Sequence, residues 1–221
     1  MKKLTSPFTL IKKSLEIFTK KENFLFLIKI YLPVSALSLI SLAFINIPFL
    51  SKTLDASLGN AVDIVVSILF LVLSVFMSIA GIMAVIRIID GKNLRIKEVY
   101  KEAFSKFGIF FLLTITIYLI NLLGLVLLIV PFVLVIVWFA FSKFVMVDKG
   151  VGIKVSLLES RSMVKGIFWQ VLGRLLAFGL FWFFSQMVLS ILPFGIGTVI
   201  YGLCGGLFVI PSFLLYREIN G

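Results

Sequence analysis

From Leu175 to Tyr216 the chain runs for 42 residues without a charged side chain, and from Phe107 to Ser142 for another 36. Each run is far longer than the ~20 apolar residues that already span a hydrocarbon core of about 30 Å. As a single helix, 107–142 would extend for about 54 Å at ~1.5 Å per residue. Both runs must therefore turn back on themselves. Pro131 suits the first position of a new helix, where its missing N–H costs nothing, and this sets one turn between Gly124 and Val130. Pro193, Gly195 and Gly197 set the other. Two earlier spans, 24–47 and 62–88, flank a polar stretch from Ser51 to Asp63, and Ile64 to Ile86 alone gives 23 uncharged residues. The pattern predicts an all-α, polytopic membrane protein with six transmembrane helices in three hairpins.

The cations test that count independently, because cytoplasmic loops carry an excess of Lys and Arg. With six spans, 20 of the 21 Lys and Arg fall on one side: seven up to Lys29, six from Arg87 to Lys106, six from Lys143 to Arg174, and Arg217. Only Lys52 falls on the other. If 107–142 were one span, the split would drop to 13 against 8. Six spans with both termini cytoplasmic follow. The start Met1-Lys2-Lys3 leads into an amphipathic stretch bearing Lys12, Lys13 and Lys20, with no apolar core of a signal peptide, so no cleavage is expected. The same distribution explains the net charge of +11 without nucleic acid. Cations beside an anionic leaflet gain about 1 kcal/mol each, so membrane lipids with anionic headgroups are the expected partners. A protein partner or a second copy stays open.

A repeated unit organises the basic side of a single membrane domain, 1–221. Ile11-Lys12, Ile96-Lys97 and Ile153-Lys154 each open a basic amphipathic segment that leads into a hairpin, giving units 6–90, 91–148 and 149–218. The exits match too: Ile88-Ile89-Asp90-Gly91-Lys92 parallels Met146-Val147-Asp148-Lys149-Gly150. Each hairpin is thus expected to follow a short cytoplasmic amphipathic helix. In the middle one, Ile96, Val99, Tyr100, Ala103, Phe104 and Phe107 share a face opposite Lys97, Glu98, Lys101 and Lys106, the pattern of a helix lying in the interface plane. The first has Ser6 to cap it and Pro7 at its first position. In the third, apolar residues occupy most of the circumference around Lys154, Arg161 and Lys165, which predicts burial between other helices.

Reactive chemistry is sparse. The chain has no histidine and a single cysteine, Cys204, inside an apolar span. The commonest general base and metal ligand is therefore absent, no thiolate metal site can form, and no cofactor or metal is expected. Asp90, Asp148 and Glu218 return to the basic side together and could form a carboxylate site if they converged; otherwise they balance neighbouring cations. Gly202, Gly205 and Gly206 in the last span read as close-packing positions. Charged groups within spans are the default functional candidates. Lys29 and Arg174 each lie about two turns into a hairpin, within snorkelling reach of the headgroups. Glu159 sits on an apolar circumference and calls for a cation. We therefore expect a polar cluster or lipid contact of Glu159, Gln170 and Arg174, with Lys165 at its rim and Lys29 in the equivalent position of the first unit.

From Trp138 to Trp169 the chain resembles a known group. Val147-Asp148-Lys149-Gly150, Ser156-Leu157-Leu158-Glu159-Ser160 and Val164-Lys165-Gly166-Ile167-Phe168-Trp169 are similar to motifs of bacterial six-helix inner-membrane proteins related to the membrane domain of some glycerophosphodiester phosphodiesterases. The proline-broken final hairpin ending in Tyr216-Arg217-Glu218 is similar as well. The resemblance covers residues 131 to 218. It implies the six-helix architecture, while phosphodiesterase activity in that group belongs to a separate soluble barrel that six spans leave no room for. The expected function is that of a non-catalytic protein, not an enzyme, whose basic face engages anionic lipid or a partner protein. The alternative is a small transporter or lipid-handling permease, which would place a polar cavity at the bilayer midplane.

Overall fold

The computed structural model describes residues 4–46, 56–126, 129–193 and 196–221. Among these residues there is no strand. Ten helices follow in order: α1 Pro7–Thr19, α2 Lys21–Asn46, α3 Ala56–Ile89, α4 Ile96–Val126, α5 Ile129–Phe139, α6 Ser142–Lys149, α7 Ile153–Val164, α8 Phe168–Ser190, α9 Ile196–Leu203 and α10 Gly205–Asn220. They supply six segments long and apolar enough to cross a membrane: Lys21–Leu39, Ser67–Ile89, Ile96–Val126, Val130–Lys149, Phe168–Ser190 and Ile196–Asn220. The chain is a multi-pass membrane protein. The expected turn at Gly124 to Val130 lies between α4 and α5; the turn residue Gly195 and the loop cation Lys52 lie outside the described residues.

α3 occupies the centre. Ile79, Ala80, Ala84 and Val85 on its basic half are fully buried, and α2, α4, α6 and α10 pack around it. α8 is peripheral: only 11% of its most apolar window is buried, against 50% for the span containing α3. Because lipid is as apolar as leucine, helices in a bilayer associate through close packing rather than a hydrophobic drive. The packing here depends on glycines. A Cβ at Gly81 would stand 1.9 Å from the Tyr31 hydroxyl, one at Gly205 would stand 2.7 Å from the same ring, and one at Gly206 would stand 2.9 Å from Leu27. The face of α2 that carries Leu27 and Tyr31 therefore fits against α3 and α10 only because those side chains are missing. The glycines read from sequence as packing positions have that role.

On the basic half, Phe144, Phe213 and Tyr216 join α6 to α10 with ring centroids 5.6 to 5.8 Å apart. Two breaks differ from the sequence reading. The middle amphipathic segment is no separate helix: α4 runs unbroken through 31 residues, because no proline or turn residue interrupts it between Ile96 and Phe107. The fourth span, expected to be one helix, breaks at Ala140 and Phe141 into α5 and α6. Ser160 of α7 compensates for that break, its hydroxyl donating to the Trp138 carbonyl at 2.7 Å and accepting from the Phe141 amide at 3.1 Å. Two orphaned backbone groups are thereby satisfied by one side chain.

α7 packs against α5 and α6 by one narrow face and is not buried around most of its circumference as the sequence predicts. Its buried residues are Ser156, Ser160 and Val164, while Val155 and Leu158 point outward and are half exposed. Small hydroxyls fit at the crowded α5–α6 break where branched side chains would not. The ends of α3 and α6 also correspond: Gly91 and Gly150 adopt φ of +64° and +66°, a left-handed conformation that suits glycine at a helix C-terminus.

Candidate functional site

The carboxylates that return to the basic end do converge in part, and on a cation. Arg217 of α10 donates to Asp90 at 2.9 Å and to Asp148 at 3.3 Å, joining the ends of α3, α6 and α10. The Tyr216 hydroxyl donates to the second Asp148 oxygen at 2.9 Å, and Lys92 pairs with Asp90 at 3.1 Å. Both acids of the repeated exit motif thus have the same cation as partner. Glu218, the third acid, turns elsewhere and accepts from the Thr5 amide at 2.6 Å and the Thr5 hydroxyl at 2.8 Å.

Other charges of this end are similarly occupied. Arg87 of α3, 11% exposed, holds Glu98 at 2.8 Å and Glu102 at 2.6 Å on the first turns of α4. Lys106 donates to the Val147 carbonyl at 2.8 Å. Arg161 lies over the Trp138 ring at 4.4 Å from its centroid. Together these contacts form a polar plate that ties α3, α4, α6 and α10 at the basic end.

The residues expected to cluster are not brought together. Arg174 lies six residues into α8, and its guanidinium donates to the carbonyls of Leu4, Thr5 and Gln170 at 2.5, 2.8 and 2.7 Å. Glu159 instead pairs with Lys149, which also reaches Asn220 at 3.0 Å. The reason is the segment before Pro7. Its carbonyls have no helical partner, so Leu4 and Thr5 fill the place beside Arg174 that the sequence reading gave to Glu159. Gln170 contributes only its backbone carbonyl. Lys165 is exposed at the end of α7, and Lys29 is exposed on α2, with no ion pair to either among the described residues. A free N-terminal segment before a proline-started helix was the available signal for this arrangement; its destination, some 170 residues away, was not.

The interior differs from the plate. Two clefts flank α3 and share Ser74 and Ser78. One, of about 650 Å³, lies among α2, α3, α8, α9 and α10 and is walled by Tyr31, Phe178, Trp182, Tyr201 and Phe208. The other, of about 550 Å³, lies among α3, α4 and α6 and presents Ser67, Thr114, Tyr118 and Lys143. Ser74 lies near the centre of the uncharged stretch Ile64 to Ile86, and Ser78 one turn nearer the basic end, which puts both in the middle part of the span. Buried hydroxyls of Ser35, Thr114 and Tyr201 have no hydrogen-bond partner, an arrangement that costs about 1 to 3 kcal/mol each where no ligand or water meets them. No group of three or more metal-ligating side chains occurs among the described residues.

No family model, curated protein or solved structure matches this chain.

Proposed function

We propose that this chain is a non-catalytic membrane protein that takes lipid from the bilayer into clefts between its helices. The observation that supports this most is the pair of clefts meeting at Ser74 and Ser78 in mid-membrane, with polar groups facing otherwise apolar walls. A scaffold whose only task lay at the basic surface would gain nothing from unpartnered hydroxyls at that depth, where each is expensive. The lipid-handling permease reading is therefore preferred to the surface-engaging one. The latter draws support from Phe8, Phe104 and Trp169, each more than three-quarters exposed around the basic end, where an interfacial layer would cover them.

The finer architecture belongs to the same proposal. Three hairpins introduced by amphipathic segments, with both termini cytoplasmic, are the arrangement that the distribution of cations supports, and a bacterial inner membrane is what the resemblance implies. Relation to the six-helix inner-membrane group rests on the motifs between 131 and 218. Cysteines placed at Ser57 and Lys101 in a Cys204→Ala background are expected to label from opposite sides, and labelling from one side overturns the topology. Lipid handling is tested by native mass spectrometry after extraction in mild detergent. Phospholipid adducts that survive gel filtration are expected; bare protein under all detergent conditions overturns the reading.

A further inference from the structure

Lys143 is a half-buried cation to which no acid is paired among the described residues, whereas the other unpaired cations, such as Lys29 and Lys165, are exposed. It sits on α6, six residues before Lys149 and so about 9 Å inside the helix end. Its ammonium lies 5.6 Å from the centroid of the Phe110 ring, and no hydrogen bond or ion pair to it occurs among the described residues. The acids that pack nearby are already engaged: Asp90 and Asp148 by Arg217, Glu98 and Glu102 by Arg87, and Glu159 by Lys149. Glu16 and Glu22 lie exposed on α1 and α2. An ammonium in an apolar span costs about 2.5 to 3.5 kcal/mol at the helix centre on insertion scales, and a ring face repays only part of this.

The surroundings specify what would answer the charge. Lys143 lines the cleft among α3, α4 and α6, together with Ser78, Thr114 and Tyr118. Thr114 is 6% exposed and its hydroxyl has no partner. One ammonium and several hydroxyls suit an oxyanion of a single negative charge, with charge-assisted bonds from the lysine and neutral ones from the hydroxyls. No carboxylate lines the cleft, so a choline or ethanolamine ammonium would find no counter-charge there. Beyond the polar groups the cleft continues along Phe70 and Leu71, which are exposed in a segment that faces lipid. From Ser78 to Ser67 it follows α3 for about 16 Å, long enough to receive most of an acyl chain.

We propose that this cleft is a binding site for an anionic glycerophospholipid, whose phosphodiester is held by Lys143 with Thr114 and Ser78, and whose acyl chain lies along Phe70 and Leu71. The proposal rests on the lipid-handling reading and names the lipid class it selects. Its test uses the full chain in mild detergent, titrated by native mass spectrometry with phosphatidylglycerol and with phosphatidylcholine of the same acyl chains. The wild type is expected to prefer phosphatidylglycerol by about tenfold, the worth of one desolvated charge-assisted contact. Lys143→Gln should abolish that preference, and Lys143→Arg should keep it. Thr114→Val should weaken phosphatidylglycerol by about threefold to tenfold on the same scale. Lys13→Gln, which removes an exposed cation of α1 outside the cleft, should leave the preference intact. The charged site is overturned if Lys143→Gln retains the full preference or if Lys13→Gln removes it equally. Equal binding of both lipids by the wild type overturns the charged site and leaves lipid handling standing, whereas no binding of either overturns both. Should Lys143→Gln not yield folded protein, Thr114→Val decides the matter: a contact to the phosphodiester weakens both phospholipids and leaves binding of diacylglycerol, which has no phosphate, unchanged, whereas equal weakening of all three overturns the contact.

Discussion

The basic end and the membrane interior of this protein treat polar groups in opposite ways. At the basic end Asp90, Asp148, Glu98, Glu102 and Glu159 each have a cation, and Arg174 and Lys106 reach backbone carbonyls. In the interior, Ser35, Thr114 and Tyr201 keep buried hydroxyls without partners, and Lys143 has only a ring face. Satisfied polar networks rigidify a structure, and unsatisfied ones mark where a ligand or a second state contributes. The difference separates the part that holds the helices together from the part that meets lipid.

Removing cations from the plate is the strongest way to challenge this division. Arg217→Leu leaves Asp90 with only Lys92 and Asp148 with only the Tyr216 hydroxyl, and is expected to destabilise the detergent-solubilised protein by about 1 to 2 kcal/mol, less than a fully buried pair because the guanidinium is 35% exposed. Adding Asp90→Asn and Asp148→Asn should recover part of the loss in thermal unfolding; no recovery would mean that the ion pairs are incidental. Of similar size is Arg174→Leu, which releases the Leu4 and Thr5 carbonyls and is expected to cost about 1 to 3 kcal/mol. Limited proteolysis should then cut ahead of α1 at protease levels that leave the wild type whole. Ser160→Ala orphans the Trp138 carbonyl and the Phe141 amide and should cost about 1 to 2 kcal/mol. Smallest are the interior changes. Thr114→Val and Tyr201→Phe remove hydroxyls that bond nothing in the protein, and their effect on the lipid-free protein should stay within about 0.5 kcal/mol. A loss as large as that of Ser160→Ala would show that the interior is as fully engaged as the plate.

Sequence reasoning reached the helices more readily than their contacts. The uncharged runs and the proline at 131 place the six spans, because burial in hydrocarbon admits only helices with their backbone groups satisfied internally. Gly205 and Gly206 were legible as packing positions since small residues in a span have few other uses. The break between α5 and α6 was not, because no proline or glycine marks Ala140 and Phe141; its determinant, Ser160, lies on another helix. The Glu159 cluster failed for a related reason. A carboxylate's need for a cation can be read locally, but the choice between Arg174 and Lys149 depends on how α7 returns against α6 and on where the N-terminal segment docks. The isolation of Lys143 emerges only once Asp90, Asp148, Glu98, Glu102 and Glu159 are seen to be engaged by other cations.

Photolabelling with a diazirine-bearing phospholipid, followed by mapping of the modified residues, tests the central claim most directly. Leu180, Phe183 and Val188 on the outer face of α8 are exposed to lipid and must be labelled in any account, so they serve as an internal standard. Labels at Ser74 and Ser78 on the central helix, at a level comparable with that standard, are the predicted result. Labels confined to the outer faces, with 74 and 78 unmodified, would contradict it.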